Sequence, residues 1–278
     1  MGIVNKRLNL IEVIYCGYPA NRKYLEEYDS KLKGQIEKYK YSPYLAGFYI
    51  QNRKLGLKFF ISANEDDFLS EGGLKNLSQV VRRVNEIRAI LHAKEQSFAG
   101  IISGLLYKNK LITETSERDK VVNCVVKGID ETLKLEGYNQ NAPIIILGAK
   151  GYIGREVARH LHGRTLYLLD INEHEEVSKD WPTEIRNKKA ILVNISKKHQ
   201  IKHYAPLAWR RLILLNEVYP EPGDEEVSMF KQSGGNVYHL SGVKGISFPS
   251  FPGAYKNAIP CSASWSNKEI QIVIKSLG

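Results

Sequence analysis

The stretch IIILGAKGYIGR, residues 144–155, limits the possible folds of this chain more than any other part of the sequence. Four consecutive apolar residues predict a buried strand, and the glycines Gly148, Gly151 and Gly154 then separate this strand from an amphipathic helix. A second apolar run follows at residues 165–169. Strand, glycine turn, helix and strand in this order are typical of a βαβ unit, so the sequence predicts an α/β fold with parallel strands.

The same turn predicts a binding site for a dinucleotide. Glycines allow the backbone to turn tightly and to approach a pyrophosphate, and unpaired amides at the start of a helix bind the anion. The second apolar run ends in Asp170, which follows the first glycine by roughly 20 residues, as the acidic residue of such sites does. Its carboxylate can accept hydrogen bonds from an adenosine ribose and would repel a 2′-phosphate, which favours NAD over NADP. The alternative is a turn that binds no nucleotide.

Further cofactor contacts are expected at the carboxyl ends of the strands that follow. Apolar runs at residues 190–195, 212–216 and 236–240 alternate with polar or helical connections, as in a doubly wound sheet, whose ligands bind outside these strand ends. Asn and Ser are also common in ordinary turns, which is the alternative explanation. The predicted cofactor-binding residues are Gly148, Lys150, Gly151, Tyr152, Ile153, Asp170, Asn194, Ser196 and Asn216, with Ile195 and Glu217 as further residues of the cleft.

The whole chain has the composition of an ordinary globular protein. Its 278 residues suffice for one large or two medium domains with a sizeable core. No apolar run approaches the roughly 18 residues of a membrane span, and no signal-peptide core follows the first residues, so a cytoplasmic location is expected. The three scattered cysteines, Cys16, Cys124 and Cys261, include no CxxC pair, so neither a disulfide framework nor a metal site is predicted.

The formal net charge of +10 permits three interpretations. Nucleic-acid binding is one, but Lys and Arg are spread through predicted helices beside Glu and Asp, without a basic tail, so no specific nucleic-acid partner is predicted. An acidic protein partner or substrate is the second. A solvated, lysine-rich surface is the third and simplest. The sequence does not predict the oligomeric state.

The residues before the glycine turn predict a separate α/β domain. Its predicted strands cover residues 8–15, 44–51, 55–62 and 98–106, and its predicted helices cover residues 23–38, 72–94 and 118–135, the last with caps at 113–117. Residues 137–141 form a short polar linker, which places the domain boundary near 141. We therefore predict a substrate domain at 1–141 and a cofactor domain at 142–278, with the substrate in the cleft between them.

The segment after the last predicted strand contains a candidate nucleophile. Residues 245–253 form a loop rich in aromatic residues and proline, and Cys261 then follows Pro260 and precedes small residues that could start a helix. The dipole at a helix start lowers the pKa of a thiol, as a nucleophile requires. A single cysteine is otherwise often a small buried apolar residue. Both roles stay open for Cys261.

Four segments together resemble a known family. No Tyr-x-x-x-Lys pair follows the glycine turn, and a full domain precedes it, so the layout resembles the two-domain group that includes shikimate dehydrogenase, methylene-tetrahydrofolate dehydrogenase and glutamyl-tRNA reductase. Within this group the chain is similar to cyanobacterial long-chain acyl-[acyl-carrier-protein] reductase. The similar segments are RVNEIRAILHA at 83–93, FAGIISGLL at 98–106, GAKGYIG at 148–154 and IPCSAS at 259–264.

The resemblance implies an N-terminal substrate domain, a C-terminal Rossmann domain and a catalytic role for Cys261. In that family the cysteine forms an acyl-enzyme thioester from an acyl-carrier-bound substrate, and the thioester is reduced to an aldehyde. The family prefers NADP, so NADP stays an alternative to NAD. Other members of the group use a lysine with an acid or a tyrosine, which Lys54 or Lys58 beside Tyr49 would provide here.

Two further functions are compatible with the sequence. One is a dehydrogenase of a small hydroxy, amino or cyclic acid that works without covalent catalysis. The other is an NAD-binding sensor or partner-binding protein that catalyses nothing, because no histidine is an unambiguous general acid. The histidines expected at the surface or in packing are His160, His162, His199, His203 and His239.

Overall fold

Two β-sheets form the framework of the protein in a computed structural model. The structure describes residues 5–7, 9–19, 25, 37–112, 116–170, 180–197, 199–265 and 270–278. Both sheets contain parallel strands and are accompanied by helices, so the protein is a mixed α/β protein, as the sequence predicts. Within these residues, no helix combines the length and the apolar character needed to cross a lipid bilayer.

The helices and strands are numbered in chain order. The strands are β1 (Ile11–Gly17), β2 (Tyr44–Gln51), β3 (Lys54–Phe60), β4 (Glu95–Phe98), β5 (Ile144–Leu147), β6 (Leu166–Leu169), β7 (Ala190–Asn194), β8 (Leu212–Asn216), β9 (Asn236–Val243), β10 (Ile246–Phe248) and β11 (Ile272–Ser276). The α-helices are α1 (Glu65–Leu69), α2 (Gly73–Leu91), α3 (Ile101–Lys108), α4 (Ser116–Leu135), α5 (Gly154–His160), α6 (Ile201–Tyr204) and α7 (Asp224–Gln232).

The chain divides into two compact units whose bounds differ from the predicted boundary near 141. Unit 1 comprises Met1–Lys120 and Val243–Ile270, and unit 2 comprises Val121–Gly242 and Gln271–Gly278. Most of α4 therefore belongs to unit 2, and the segment that carries Cys261 returns to unit 1. The sequence did not indicate this return, because the residues at which the chain passes from one unit to the other do not have the composition of a linker.

The sheet of unit 1 has the strand order β10-β2-β3-β1-β4. Strand β1 runs parallel to β3 and β4, whereas β2 is antiparallel to β3 and β10. The predicted strands at 44–51 and 55–62 are confirmed as the antiparallel pair β2 and β3, and their turn has positive φ values at Asn52 and Arg53, as a type I′ hairpin requires. Strand β1 begins at Ile11 rather than at residue 8. Strand β10 lies within the predicted aromatic and proline loop.

The core of unit 1 lies between this sheet and α2. The helix buries one apolar face, which includes Leu77, Val80 and Val84, against strand residues such as Ile14. Ile90 lies in the same helix but is 70% exposed. At 3.6 residues per turn, Ile90 falls outside the arc that holds the buried residues.

The predicted strand at 98–106 is wrong. Strand β4 ends at Phe98, and the apolar residues from Ile101 onwards form α3 instead. Gly100 separates the two with a φ of +49°. A short apolar run fits a buried strand and a buried helix equally well, so periodicity alone could not distinguish them.

The sheet of unit 2 has the strand order β11-β9-β8-β7-β5-β6. Parallel pairing joins β6 to β5, β5 to β7, β7 to β8 and β8 to β9. The predicted strands of this half are confirmed, although β9 continues to Val243 and β11 was not predicted. The register pairs Leu147 with Asn194, Asn194 with Asn216, and Asn216 with His239. Since Leu147 also pairs with Leu169, the carboxyl ends of β5, β6, β7 and β8 meet at one edge, beside the middle of β9.

Two predictions fall partly on residues outside those that the structure describes. These are the charged helix at 23–38 and the helix caps at 113–117. Of the former, a single 3-10 turn at Glu37–Tyr39 is described.

Candidate functional site

The glycine turn lies at the carboxyl end of β5, and its geometry requires glycine at two positions. Gly148 has a φ of +94°, and a Cβ atom there would lie 2.7 Å from the carbonyl oxygen of Ile195. A Cβ atom on Gly154 would overlap the Gly148 carbonyl oxygen and lie 2.9 Å from the Ala149 Cα. The Gly151 amide donates a hydrogen bond to the same Gly148 oxygen at 3.0 Å. The turn is therefore so tight that side chains are excluded from its inner surface.

Asp170 lies beside this turn, as the sequence predicts for a βαβ unit. Its Oδ2 atom accepts a hydrogen bond from the Lys150 amide at 2.6 Å. The amides of Gly148 and Ala149 both donate to the Leu169 carbonyl oxygen at 2.9 Å, so β6 and the turn are held together by three bonds. The structure thus brings together the predicted glycines, Lys150 and Asp170. The Lys150 side chain is exposed, and those of Tyr152 and Ile153 are half-buried.

Asn194 and Asn216 lie side by side at the ends of β7 and β8 and are almost completely buried. Asn194 Nδ2 donates to Asn216 Oδ1 at 2.7 Å, and Asn194 Oδ1 accepts from the Ser196 hydroxyl at 2.6 Å. Asn216 Nδ2 donates to the Val218 carbonyl at 2.6 Å and to His239 Nδ1 at 3.0 Å. The two amides therefore hold each other and the following loop, while Ser196 is only half-buried and stands at the end of the network.

His239 completes this network on β9. The Val218 carbonyl can only accept, which fixes the orientation of the Asn216 amide, so His239 Nδ1 must be an acceptor and the ring proton is on Nε2. Burial, with a smaller contribution from Lys275, lowers the pKa of His239 to about 4. The imidazole is therefore neutral near pH 7. The sequence predicts a surface or packing role for His239, whereas the fold places it in a polar row across three strands.

Glu217 is the first residue after β8. Its amide donates to the Asn194 carbonyl oxygen at 3.0 Å, which fixes the backbone at this edge of the sheet. The carboxyl group is half-buried, and burial raises its pKa to about 8. Within the described parts of the chain it has neither a hydrogen-bond donor nor a cation as partner. It can therefore exchange a proton close to neutral pH.

A signal for this polar row was present in the sequence. The apolar strands β7 and β8 each end in an asparagine, and the register places His239, in the middle of β9, beside them. The contact between these side chains depends on the register of the strands, which the lengths of the segments between the strands do not determine.

Cys261 lies in unit 1, whereas the glycine turn lies in unit 2. It begins a single 3-10 turn, Cys261–Ala263, so the predicted helix start is not an α-helix. A single turn aligns few peptide dipoles, so the helix dipole assumed in the sequence prediction is not present at this residue. The residue is 7% exposed. Its segment is bound to the sheet of unit 1 by the Tyr49 hydroxyl, which donates to the Ala263 carbonyl at 2.8 Å.

The lysine alternative also lies in unit 1. Lys58 is 1% exposed, and its Nζ atom donates to the Ser247 hydroxyl at 2.9 Å and to the Pro249 carbonyl, above the Phe251 ring. Its contacts thus attach β10 to β3. Lys54 instead forms an ion pair with Glu12 at the other end of β3. The two lysines therefore take part in different structural contacts.

No known protein family matches this chain, and no curated protein is similar to it in sequence.

Proposed function

We propose that the protein is a nicotinamide-dependent oxidoreductase and that unit 2 is a Rossmann domain that binds the dinucleotide at the turn from Gly148 to Gly154. The observation that carries the proposal is the combination of a tight glycine turn with the Asp170 carboxylate beside it. A turn of this kind without Asp170 would suit any small anion. The carboxylate adds a group that recognises ribose hydroxyls.

The residues of the turn fit a dinucleotide. At Gly148 and Gly154 a Cβ atom would overlap neighbouring backbone atoms, so glycine permits the tight turn, and a turn of this kind before a helix can bind a pyrophosphate. The exposed Lys150 side chain provides a positive charge near the same point. Asp170 would accept the adenosine ribose hydroxyls and repel a 2′-phosphate, which favours NAD.

The remainder of the cofactor would lie towards β7 and β8, on the opposite side of β5 from Asp170. A bound nicotinamide dinucleotide transfers hydride to or from a substrate carbon. In this arrangement the Ser196 hydroxyl, which donates to Asn194, keeps its oxygen available to accept a hydrogen bond from a ligand. Asn194, Asn216 and His239 would orient Ser196 and the loop after β8 rather than contact the ligand themselves.

A narrower form of the proposal is reduction of an acyl thioester through Cys261. It rests on the resemblance of residues 259–264 to the acyl-carrier-protein reductases and on the suitability of a thiolate for acyl transfer. An acidic carrier protein would suit the positive net charge of the chain.

Titration with NADH, followed by cofactor fluorescence, tests the proposal. We expect saturable NADH binding to the wild-type protein and weaker binding of NADPH, because of Asp170. Lys150→Glu should weaken NADH binding by about tenfold, because it reverses a charge beside the pyrophosphate without altering the backbone. The matched control is Lys188→Glu, the same change near the amino end of β7, which should bind as the wild type does.

Absence of NADH and NADPH binding to a folded wild-type protein would refute the proposal. Equal losses in Lys150→Glu and Lys188→Glu would show that the cofactor binds elsewhere. Tight binding without turnover on aldehydes, thioesters, keto acids and imines would favour the sensor alternative.

A further inference from the structure

Glu217 occupies the point of the sheet edge towards which the nicotinamide half of a bound cofactor would extend. Strands β5, β7 and β8 are neighbours, and adjacent strands are about 4.8 Å apart, so the end of β8 is about 10 Å from the glycine turn at the end of β5. Asp170 lies on the opposite side of the turn, at the end of β6. The sequence of groups along the edge is thus Asp170, the turn, Ser196 and Glu217.

The backbone on both sides of Glu217 is held in place. Its own amide donates to the Asn194 carbonyl, and the Asn216 side chain donates to the Val218 carbonyl. Asn216 in turn is fixed by Asn194 and His239. A buried network of neutral groups therefore positions one carboxyl group at the edge, which is how a proton-transfer group is held relative to its substrate.

A half-buried carboxyl group without a donor or a cation nearby is costly to maintain in its charged form. Burial alone raises its pKa to about 8, and no charged group in the described residues contributes to the shift. Structural carboxylates are normally paired, as Glu12 is with Lys54 and Lys94 in unit 1. Glu217 departs from this rule at a position where a ligand would bind.

We propose that Glu217 is the proton-exchanging group of this site, protonated beside the reduced nicotinamide and ionised beside the positively charged oxidised ring. This inference rests on the proposed function and assigns an acid and base role that the sequence does not assign to any histidine. As hydride adds to the carbon of a substrate C=O or C=N bond, the π electron pair moves to the oxygen or nitrogen. That atom takes the Glu217 proton, and the carboxylate remains. The reverse reaction returns the proton to Glu217.

The proposal predicts that NAD+ and NADH binding differ in proton release. A positive charge within about 4–6 Å lowers a carboxyl pKa by about 1–3 units. If NAD+ lowers the pKa of Glu217 by about two units from its value of about 8, binding at pH 7 releases about 0.8 of a proton. NADH has a neutral ring and should release none from this group. The NAD+ affinity should therefore rise by about 100-fold from pH 5 to pH 9.

Calorimetry tests this without a substrate. NAD+ and NADH are titrated into the protein at pH 7 in buffers of different ionisation enthalpy, whose comparison gives the number of protons released. The variant Glu217→Gln keeps the size of the side chain and cannot ionise. The matched control is Glu221→Gln, the same change four residues later in the same loop. Circular dichroism verifies that each variant is folded.

We expect proton release with NAD+ in the wild type and in Glu221→Gln, and its loss in Glu217→Gln. Binding of NAD+ with no proton release in the wild type, or with the same release in Glu217→Gln, would overturn the inference and leave the proposed function standing. Failure of the wild type to bind either nucleotide would overturn the proposed function, and the role of Glu217 with it.

Discussion

The buried imidazole of His239 should make the stability of unit 2 sensitive to acid. The ring is 0% exposed, and its pKa of about 4 in the folded protein lies below the ordinary value of 6.5. Because the unfolded chain binds the proton first, the contribution of His239 to the free energy of unfolding decreases as the pH falls from 6.5 to 4. The substitution His239→Asn should remove this dependence, since its amide oxygen can accept from Asn216 and does not titrate.

The size of the effect follows from the two pKa values. A difference of two to three units corresponds to about 3 kcal/mol once the pH is below 4. At pH 5 the wild type should have lost about 2 kcal/mol of this contribution relative to pH 8. His239→Asn lowers stability at every pH, because it leaves unfilled space in the core. The informative quantity is therefore the difference between the two pH values.

Urea unfolding monitored by tryptophan fluorescence measures this difference. Trp181 and Trp209 belong to unit 2, and their rings are 5.9 Å apart, whereas Trp265 belongs to unit 1. All variants are therefore compared in a Trp265→Phe background, so that the signal reports on unit 2. The control is His160→Asn at the end of α5, an exposed histidine whose replacement should preserve the wild-type pH dependence.

An equal change in the free energy of unfolding from pH 8 to pH 5 in the wild type and in His239→Asn would refute this reasoning. Such a result would mean that His239 is protonated in the folded protein, which the donor from Asn216 forbids.

Two further predictions concern unit 1. Asn5 donates to the carbonyls of Leu91 and His92 and accepts from the amides of Leu10 and Ile11. Asn5→Ala should therefore reduce the free energy of unfolding by about 3 kcal/mol in the same urea experiment. The control Asn109→Ala loses one exposed hydrogen bond and should cost less than about 1 kcal/mol. Cys261→Ala should abolish the trapping of a radiolabelled acyl group from acyl thioesters. The control Cys16→Ala should not, because burial raises the pKa of the Cys16 thiol to about 12. An acyl adduct on the Cys261→Ala protein would exclude the covalent mechanism through Cys261.

Most of the strands of unit 2 could be predicted from the sequence, because apolar runs and glycines that lie close together in the chain define them. The four apolar residues before the glycine turn favour a buried strand because glycines follow them directly. Asp170 at the end of the next apolar run has the spacing of a βαβ unit. Strands β5, β6, β7, β8 and β9 were therefore found at or within a few residues of their positions. The prediction for residues 98–106 was wrong because a short apolar run carries no period that separates helix from strand.

The return of residues 243–270 to unit 1 could not be predicted, since it depends on pairing between strands far apart in the chain. Strand β10 pairs with β2 about 200 residues earlier, through Ile246 with Ile50 and Phe248 with Phe48. Before that pairing is known, the segment has the composition of a loop. Because this segment belongs to unit 1, Cys261 lies there and not in the predicted cofactor domain.

The amino-acid sequence alone determined the α/β class and the glycine turn with its acidic partner, because short-range steric and hydrogen-bonding rules act on neighbouring residues. The tertiary structure decided which polar groups have hydrogen-bond partners. Parallel register aligned Asn194, Asn216 and His239 into one buried network and left the Glu217 carboxyl group without a partner among the described residues. Burial and pairing are properties of the folded chain, so the proton chemistry that we assign to Glu217 could be inferred only from the fold.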